Sequence, residues 1–236
     1  MRLDKFIAHC SGASRNQVKR WMRAKRVSVA GATATDPSQI ITTAQRVQLD
    51  NKLLQYPSAR YFMLNKPAGV VCSNTDSDNP TVLEQLKGID TQGLQIAGRL
   101  DKDTTGLVLL TDDGQWNHQI TAPRAAKDKV YLASLAEPIS QQCIDQFAAG
   151  LPLKNDAKNT LPAQLEPITE RLARVTLHEG RYHQVKRMFA ACGNHVVALH
   201  RESVAGIVLD PALAPGDYRA LTVKEIAQTQ NTKTKP

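Results

Sequence analysis

Residues 98–110 read GRLDKDTTGLVLL, and the interpretation of the whole chain depends on this stretch. Its apolar run at 107–110 follows a glycine and is typical of a buried strand, which places Asp101 on a rigid loop at the strand's entry. A partly buried carboxylate needs a partner to stay ionised, and Arg99 is near enough in sequence to provide one. An ionised Asp in a cleft attacks a substrate or accepts a proton. A surface turn with an ordinary ion pair explains these residues equally well.

The composition favours a basic globular protein with a polyanionic partner. The chain has 236 residues and a formal net charge of +8 at pH 7, which is typical of proteins that bind nucleic acid, with an anionic membrane surface as the alternative. No apolar run is long enough to span a bilayer, and the N-terminus does not resemble a signal peptide. The four cysteines form no CxxC pair. We therefore expect free thiols, no bound metal and a cytoplasmic location without a membrane partner.

The first 26 residues contain eight Lys or Arg residues and one acidic residue. Apolar spacing predicts two short helices, the first ending at Gly12 and the second beginning with a capping box at residues 14–17. Residues 27–29 and 46–49 alternate as two strands of a small hairpin. We expect a helix–helix–hairpin domain over residues 1–58, with residues 51–60 as a linker.

The basic residues of this domain are candidates for nucleic-acid contacts. A solvated helix face is the usual explanation for such a stripe, but eight bases against one acid favour phosphate binding. The candidate residues are Arg2, Lys5, Arg15, Lys19, Arg20, Arg23 and Arg26.

A second, larger domain is expected over residues 61–229, followed by a disordered tail at 230–236. Short strands alternate with helices predicted at 81–86, 115–121, 139–149, 182–192 and 222–227. This mixture indicates an α+β fold rather than a regular series of βαβ units. The predicted fold class is thus α+β, with a small helix–helix–hairpin domain joined to a larger domain that has a mixed, mainly antiparallel sheet.

Two further segments could contribute to a site. Residues 179–188 read EGRYHQVKRM, and apolar residues facing the core would leave Arg181, Lys186 and Arg187 on an open side to bind phosphate or hold a carboxylate ionised. An ordinary basic helix surface is the alternative. Strand alternation places Lys129 and Tyr131 on one face, where Tyr131 could stack on a base or pack in the core.

Several kinds of site are absent from the sequence. It has no P-loop, no Gly-x-Gly-x-x-Gly fingerprint, no HExxH pair and no Gly-x-Ser-x-Gly elbow. His183 and His195 are expected to be structural residues or weak RNA contacts rather than metal ligands.

The motifs quoted above resemble the pseudouridine synthases that modify ribosomal RNA. The resemblance includes GRLD at 98–101 with Thr105-Gly106-Leu107, FMLNKP at 62–67, LLTDDG at 109–114, Lys129-Val130-Tyr131 and the 179–188 block. The N-terminal domain resembles the S4-like RNA-binding domain of a ribosomal protein. The likeness covers nearly the whole chain and is greatest to the RsuA family, which acts on small-subunit (16S) rRNA.

The resemblance implies a role for individual residues. Asp101 matches the essential aspartate, Tyr131 the tyrosine that stacks on a flipped uracil, and Lys186 the cation that pairs with the aspartate. Arg99 would share that pairing or grip phosphate, and Leu199 would form an apolar wall of the pocket. The expected substrate-binding residues are therefore Arg99, Arg181, Arg187 and Leu199.

The implied reaction breaks the bond between uracil N1 and ribose C1′ and rejoins the base through C5. This isomerisation needs no cofactor, metal or ATP. Three routes stay open for Asp101: attack on C1′, addition to C6 of the ring, or removal of the 2′ proton.

The implied partner is ribosomal RNA or a small-subunit assembly intermediate, with the protein acting as a monomer. Two other hypotheses remain: a synthase for large-subunit rRNA, and a non-catalytic RNA-binding protein of ribosome assembly. A basic membrane-surface protein is a third, more distant alternative, because no basic helix has a large apolar face.

Overall fold

The computed structural model describes residues 1–42, 44–55 and 58–231. The chain divides into two compact units, Met1–Ala59 (the N-terminal unit) and Arg60–Pro236 (the C-terminal unit). No helix in the described ranges is both long and apolar enough to cross a membrane.

The N-terminal unit packs two helices with a four-stranded antiparallel sheet. Its elements are α1 Leu3–Ser11, α2 Arg15–Arg23, β1 Val27–Val29, β2 Ala32–Thr33, β3 Val47–Leu49 and β4 Lys52–Leu54, with strand order β2-β1-β3-β4. The Ser14 hydroxyl accepts a hydrogen bond of 3.2 Å from the Gln17 backbone N–H, as the capping box predicts. Leu3, Ile7, Val18 and Val27 are fully buried and form the centre of its core.

Most of the elements predicted for this unit are present, but the linker begins later than expected. Strand β3 returns antiparallel to β1, as predicted, with Val27 opposite Leu49. The prediction of a linker over 51–60 is wrong at Lys52–Leu54, because these residues form β4 and pair with β3. Residues 56 and 57 of the predicted linker lie outside the described ranges.

The C-terminal unit contains a nine-stranded sheet with helices on both faces. Its strands are β5 Tyr61–Lys66, β6 Gln95–Ala97, β7 Thr105–Thr111, β8 Lys129–Leu135, β9 Gln164–Thr169, β10 Leu172–Leu177, β11 Val196–Val204, β12 Ile207–Val208 and β13 Tyr218–Ala220. Its α-helices are α3 Gly114–Thr121, α4 Gln141–Ala149, α5 Gln184–Ala191 and α6 Val223–Asn231. The main strand order is β13-β5-β7-β11-β8-β10-β9, with β6 paired to β7 and β12 to β11. Strands β7 and β11 pair in parallel, and the other neighbours are antiparallel. The predicted α+β class with a mixed, mainly antiparallel sheet is confirmed.

Strand β7 is apolar on both faces because each face contacts a separate core. Leu107 and Leu109 belong to the cluster that contains Trp116 of α3. Val108 and Leu110 belong to the cluster that contains Phe147 of α4 and helix α5. The buried strand predicted from 107–110 is therefore confirmed, and it forms the middle layer of a helix–sheet–helix arrangement.

Two element predictions for this unit are wrong. Residues 81–86 form turns rather than a helix, with Thr81 in an isolated bridge to Val71. Helix α6 extends to Asn231, so the predicted tail does not begin at 230. The Lys127 ammonium donates a 2.9 Å hydrogen bond to the Thr229 carbonyl, which anchors the end of this helix. Residues 232–236 of the predicted tail lie outside the described ranges.

Candidate active site

The C-terminal unit has a cleft of about 1060 Å³ beside the loop that carries Asp101. Tyr131 on β8 and Leu199 on β11 line the same cleft and are both largely buried. The Asp101 side chain is 29% exposed, so it is neither sealed in the core nor open on the surface. A reactive carboxylate, an aromatic ring and an apolar wall therefore share one cavity.

Two side chains approach the Asp101 carboxylate from the start of α5. His183 Nε2 lies 3.3 Å from Asp101 Oδ1, and Lys186 Nζ lies 3.4 Å from Asp101 Oδ2. Lys186 also donates a shorter bond of 2.6 Å to Asp103, which lowers the pKa of that carboxyl. The predicted pairing of Lys186 with Asp101 is thus present, but Lys186 is shared between two carboxylates.

Arg99 does not hold the position first expected for it. Its side chain is exposed and lines the cleft, and no ion pair joins it to Asp101 in the described residues. Arg99 therefore contributes an exposed cationic residue to the lining of the cleft.

The side chain of Arg201 on β11 holds the loop that carries Asp101. Its side chain is only 1% exposed, and its guanidinium donates to three backbone carbonyls: Leu107 at 2.8 Å, Gly98 at 2.9 Å and Arg99 at 3.3 Å. A buried charge is costly unless its donors are satisfied. The three bonds satisfy this charge and at the same time hold the backbone immediately before Asp101.

Lys66 at the end of β5 fixes the other side of the same loop. This fully buried ammonium donates to the carbonyls of Pro67 at 3.0 Å, Lys102 at 3.2 Å and Thr104 at 2.7 Å. Burial lowers the pKa of Lys66. Asp101 therefore lies between two backbone segments that are each held by a buried cation.

Gly106 allows β7 to approach β11 closely. It pairs with Arg201 in the parallel ladder and has φ of +103°. A Cβ at this position would lie 2.4 Å from the Arg201 carbonyl oxygen. The glycine is required by both the backbone conformation and the space available.

Two arginines near the start of α5, Arg181 and Arg187, form ion pairs that the sequence did not predict. Asp156 accepts from Arg181 at 3.0 Å and from Arg187 at 2.6 Å, and Glu179 also binds Arg181. The expectation that Arg181 and Arg187 lie open for phosphate is therefore wrong for their guanidinium groups in this structure. These groups fasten the 154–159 loop against the start of α5.

Lys129 and Tyr131 both line the cleft, as strand alternation predicts. The Lys129 ammonium turns to the Lys127 carbonyl at 2.9 Å. Burial, and next the nearby Arg201 charge, lower the pKa of Lys129. Tyr131 is thus the member of this pair that is suited to contact a base.

The basic candidates of the N-terminal unit fall into two groups. Arg2 and Arg26 form ion pairs with Asp4 and Asp50. The other candidates have exposed side chains: Lys5, Arg15, Lys19, Arg20 and Arg23. Within this second group, Arg15, Lys19 and Arg23 follow at four-residue spacing on α2 and share a face. We call these three residues the α2 basic face.

The site contains two important residues that sequence reasoning missed. His183 was expected to be a structural residue or a weak RNA contact, although its position three residues before Lys186 could have placed both on one side of α5. Arg201 had a weaker signal: alternation along β11 places it on the same side as Leu199. A buried cation that binds only carbonyls has no acidic partner to reveal it in the sequence.

The chemistry available in this cleft is that of a carboxylate in contact with the His183 imidazole and the Lys186 ammonium. The described residues contain no group of three or more His, Cys, Asp or Glu side chains that could hold a metal ion. Asp101 is positioned to act as a nucleophile or a base on a ligand that stacks against Tyr131.

Comparisons with known proteins agree with the two units. Residues 60–191 match the RNA pseudouridylate synthase family, and residues 1–54 match the S4 domain. Proteins named ribosomal small subunit pseudouridine synthase A are similar over 96% of this chain. The protein from Escherichia coli (strain K12) is 54% identical with 99% of its length covered, and that from Yersinia pestis is 53% identical with 97% covered. A crystal structure of a pseudouridylate synthase superposes with a TM-score of 0.71 at 44% identity, covering 97% of this chain and 99% of the other.

Proposed function

Because this chain belongs to the RNA pseudouridylate synthase family and is a pseudouridine synthase with an S4 RNA-binding domain, we propose that it converts one uridine of small-subunit (16S) ribosomal RNA to pseudouridine, with Asp101 as the catalytic residue. The choice of small-subunit RNA rests on the names of full-length relatives that are 53% and 54% identical. We also propose that the protein acts on ribosomal RNA or an assembling small subunit, that it does so in the cytoplasm, and that it is a monomer.

The position of Asp101 carries the proposal. Its carboxylate lines a cleft that is large enough for a nucleotide, with His183 and Lys186 within 3.4 Å and Tyr131 in the same wall. Lys186 supplies a positive charge beside this carboxylate. Only the ionised form can serve in any of the three routes considered for Asp101.

The cleft accepts a base that has left its stack. Extruding a uridine from structured RNA costs a few kcal/mol, and stacking on Tyr131 returns part of that free energy. Leu199 provides an apolar wall for the base, and the exposed Arg99 provides a cation for phosphate. In this orientation the target nucleoside lies against Asp101.

The reaction is balanced without an additional reactant. The N1–C1′ bond breaks, the base turns, and a C5–C1′ bond forms. The C5 proton is then released, and N1 gains a proton from water. Loss of the C5 hydrogen gives a direct assay of the reaction.

The decisive variant is Asp101→Asn, which keeps the size of the side chain and removes its charge. With small-subunit rRNA that contains 5-tritiated uridine, we expect the wild type to release tritium. We expect Asp101→Asn to be slower by at least about 1000-fold, the scale expected for loss of a catalytic base or nucleophile.

Asp145→Asn is the matched control, since it makes the same chemical change on the exposed side of α4. It should release tritium at the wild-type rate. Full activity in Asp101→Asn would disprove the catalytic assignment. Mapping pseudouridines in rRNA from cells with and without the protein then tests the substrate: a missing site in large-subunit RNA alone would replace the small-subunit proposal.

A further inference from the structure

Tyr182 is an exposed aromatic residue at the rim of the cleft. Its side chain is 77% exposed, although it lines the same cavity as Asp101. Among residues 1–42, 44–55 and 58–231, it is the only aromatic residue whose side chain is exposed. Such a ring is a poor contributor to the core, and the reaction described above gives it no role.

The ring is already part of a stack. The Tyr182 and His183 rings lie 3.7 Å apart between centroids, with an angle of 20° between their planes. His183 in turn lies 3.3 Å from Asp101. One face of Tyr182 is therefore covered by the imidazole, and its exposure leaves the other face open beside the cleft.

The backbone beneath this ring is held at several points. The Arg187 guanidinium donates to the Tyr182 carbonyl at 3.2 Å, and the Arg181 backbone N–H donates to Gln184 Oε1 at 2.9 Å. His183 adopts a left-handed conformation with φ of 48°. A ring on such a fixed backbone loses little conformational entropy when a ligand stacks on it.

We propose that Tyr182 stacks on an unpaired base next to the target uridine, so that the stack continues as base, Tyr182 and His183 at the edge of the cleft. The inference rests on the proposed RNA substrate. Single-stranded bases are recognised by stacking on aromatic side chains, whatever their sequence. When the target base turns into the cleft, its neighbour loses a stacking partner, and Tyr182 is placed to replace it.

The test compares Tyr182→Ala with Tyr182→Phe in the full chain, using small-subunit rRNA with 5-tritiated uridine. Loss of one base–aromatic stack should raise KM about 5- to 10-fold in Tyr182→Ala. The value of kcat should stay within about 2-fold, because Asp101, His183 and Lys186 are unchanged. Tyr182→Phe keeps the ring and should match the wild type.

Val197→Ala is the control, because Val197 is an exposed apolar residue on β11 that does not line the cleft. It should leave KM unchanged. An unchanged KM in Tyr182→Ala would overturn the inference. A lower kcat with unchanged KM would also overturn it, since Tyr182 would then act only by supporting His183.

Failure of the proposed function has a different signature, namely a wild-type protein that releases no tritium. In that case, filter binding of the same transcript decides this inference. Tyr182→Ala should then bind about 5- to 10-fold more weakly than the wild type, and equal binding would contradict stacking on RNA.

Discussion

Arg201 and Lys66 are buried cations whose hydrogen bonds go to backbone carbonyls, on either side of Asp101. A carbonyl cannot change its protonation state, so the loop geometry does not depend on the titration of a partner. The guanidinium of Arg201 is planar and directs several N–H groups at fixed angles, which suits three carbonyls at once. A lysine ammonium at position 201 could not reach all of them.

This difference makes Arg201→Lys a test of loop positioning. We expect kcat to fall by roughly 10- to 100-fold, because a misplacement of about 1 Å at a reacting group has this scale of effect. KM for RNA should change little. Tritium release at saturating RNA measures kcat, and circular dichroism at the assay temperature checks that the variant is folded.

Arg174→Lys is the matched control, because Arg174 is a partly exposed cation on β10 that binds Glu202. It should keep wild-type kcat. If Arg201→Lys also kept wild-type kcat while folded, Arg201 would have no part in placing Asp101.

The sequence predicts part of the site and misses the part that depends on distant contacts. Asp101, Tyr131 and Lys186 could be named from their motifs, and the structure brings them to one region. The pairing of Asp156 with Arg181 and Arg187 could not be foreseen, because Asp156 is 25 and 31 residues away from them. Pairings between charges at such separations follow from the fold rather than from local spacing.

At the scale of elements, the parallel contact between β7 and β11 leaves no room for a side chain at Gly106. An alanine Cβ at Gly106 would lie 2.4 Å from the Arg201 carbonyl oxygen and 2.7 Å from its nitrogen, both backbone atoms that cannot move alone. The backbone is also strained for any residue with a side chain. We expect Gly106→Ala to lower the free energy of unfolding by at least about 3 kcal/mol.

Urea denaturation measures this loss, and Gly114→Ala provides the comparison. Nothing lies within 4 Å of a Cβ built at Gly114, which begins α3. That variant should be as stable as the wild type or slightly more stable. Equal stabilities for the two variants would show that β7 and β11 tolerate separation.

Segments with a clear period were predictable, apart from residues 81–86, and a segment without one was missed. The buried strand at 107–110 and the helix before Cys192 have a clear period in the sequence. Residues 81–86 also have helical spacing, but they form turns, and the side chains of Val82 and Leu86 are buried there without a helix. Strand β4 reads Lys-Leu-Leu, which does not alternate between apolar and polar residues, so only its pairing with β3 defines it.

At the scale of the whole molecule, the proposed function assigns RNA capture and chemistry to different units. The α2 basic face lies in the N-terminal unit, whereas Asp101 lies in the C-terminal unit. Each phosphate neutralised on structured RNA releases counterions, so affinity falls with salt in proportion to the number of such contacts. A change on the α2 basic face should therefore alter binding and its salt dependence without altering the chemical step.

We predict this outcome for a variant with Arg15, Lys19 and Arg23 all changed to Gln. The slope of log Kd against log salt should become shallower by about 2 to 3, and single-turnover rates at saturating RNA should be unchanged. Filter binding across a salt series measures the slope. A control with Lys87, Lys154 and Lys224 changed to Gln removes the same charge from exposed positions of the C-terminal unit. Equal slopes for the two variants would exclude a special role for the α2 basic face.

The three bonds of Arg201 also determine when the site can form during synthesis. Arg201 is separated by 94 to 103 residues from the carbonyls that it holds. A ribosome making this chain releases Asp101 long before it adds the arginine that fixes the Asp101 loop. The growing polypeptide therefore lacks these three contacts to the Asp101 loop until residue 201 has been added, so they form only after both β7 and β11 have been made.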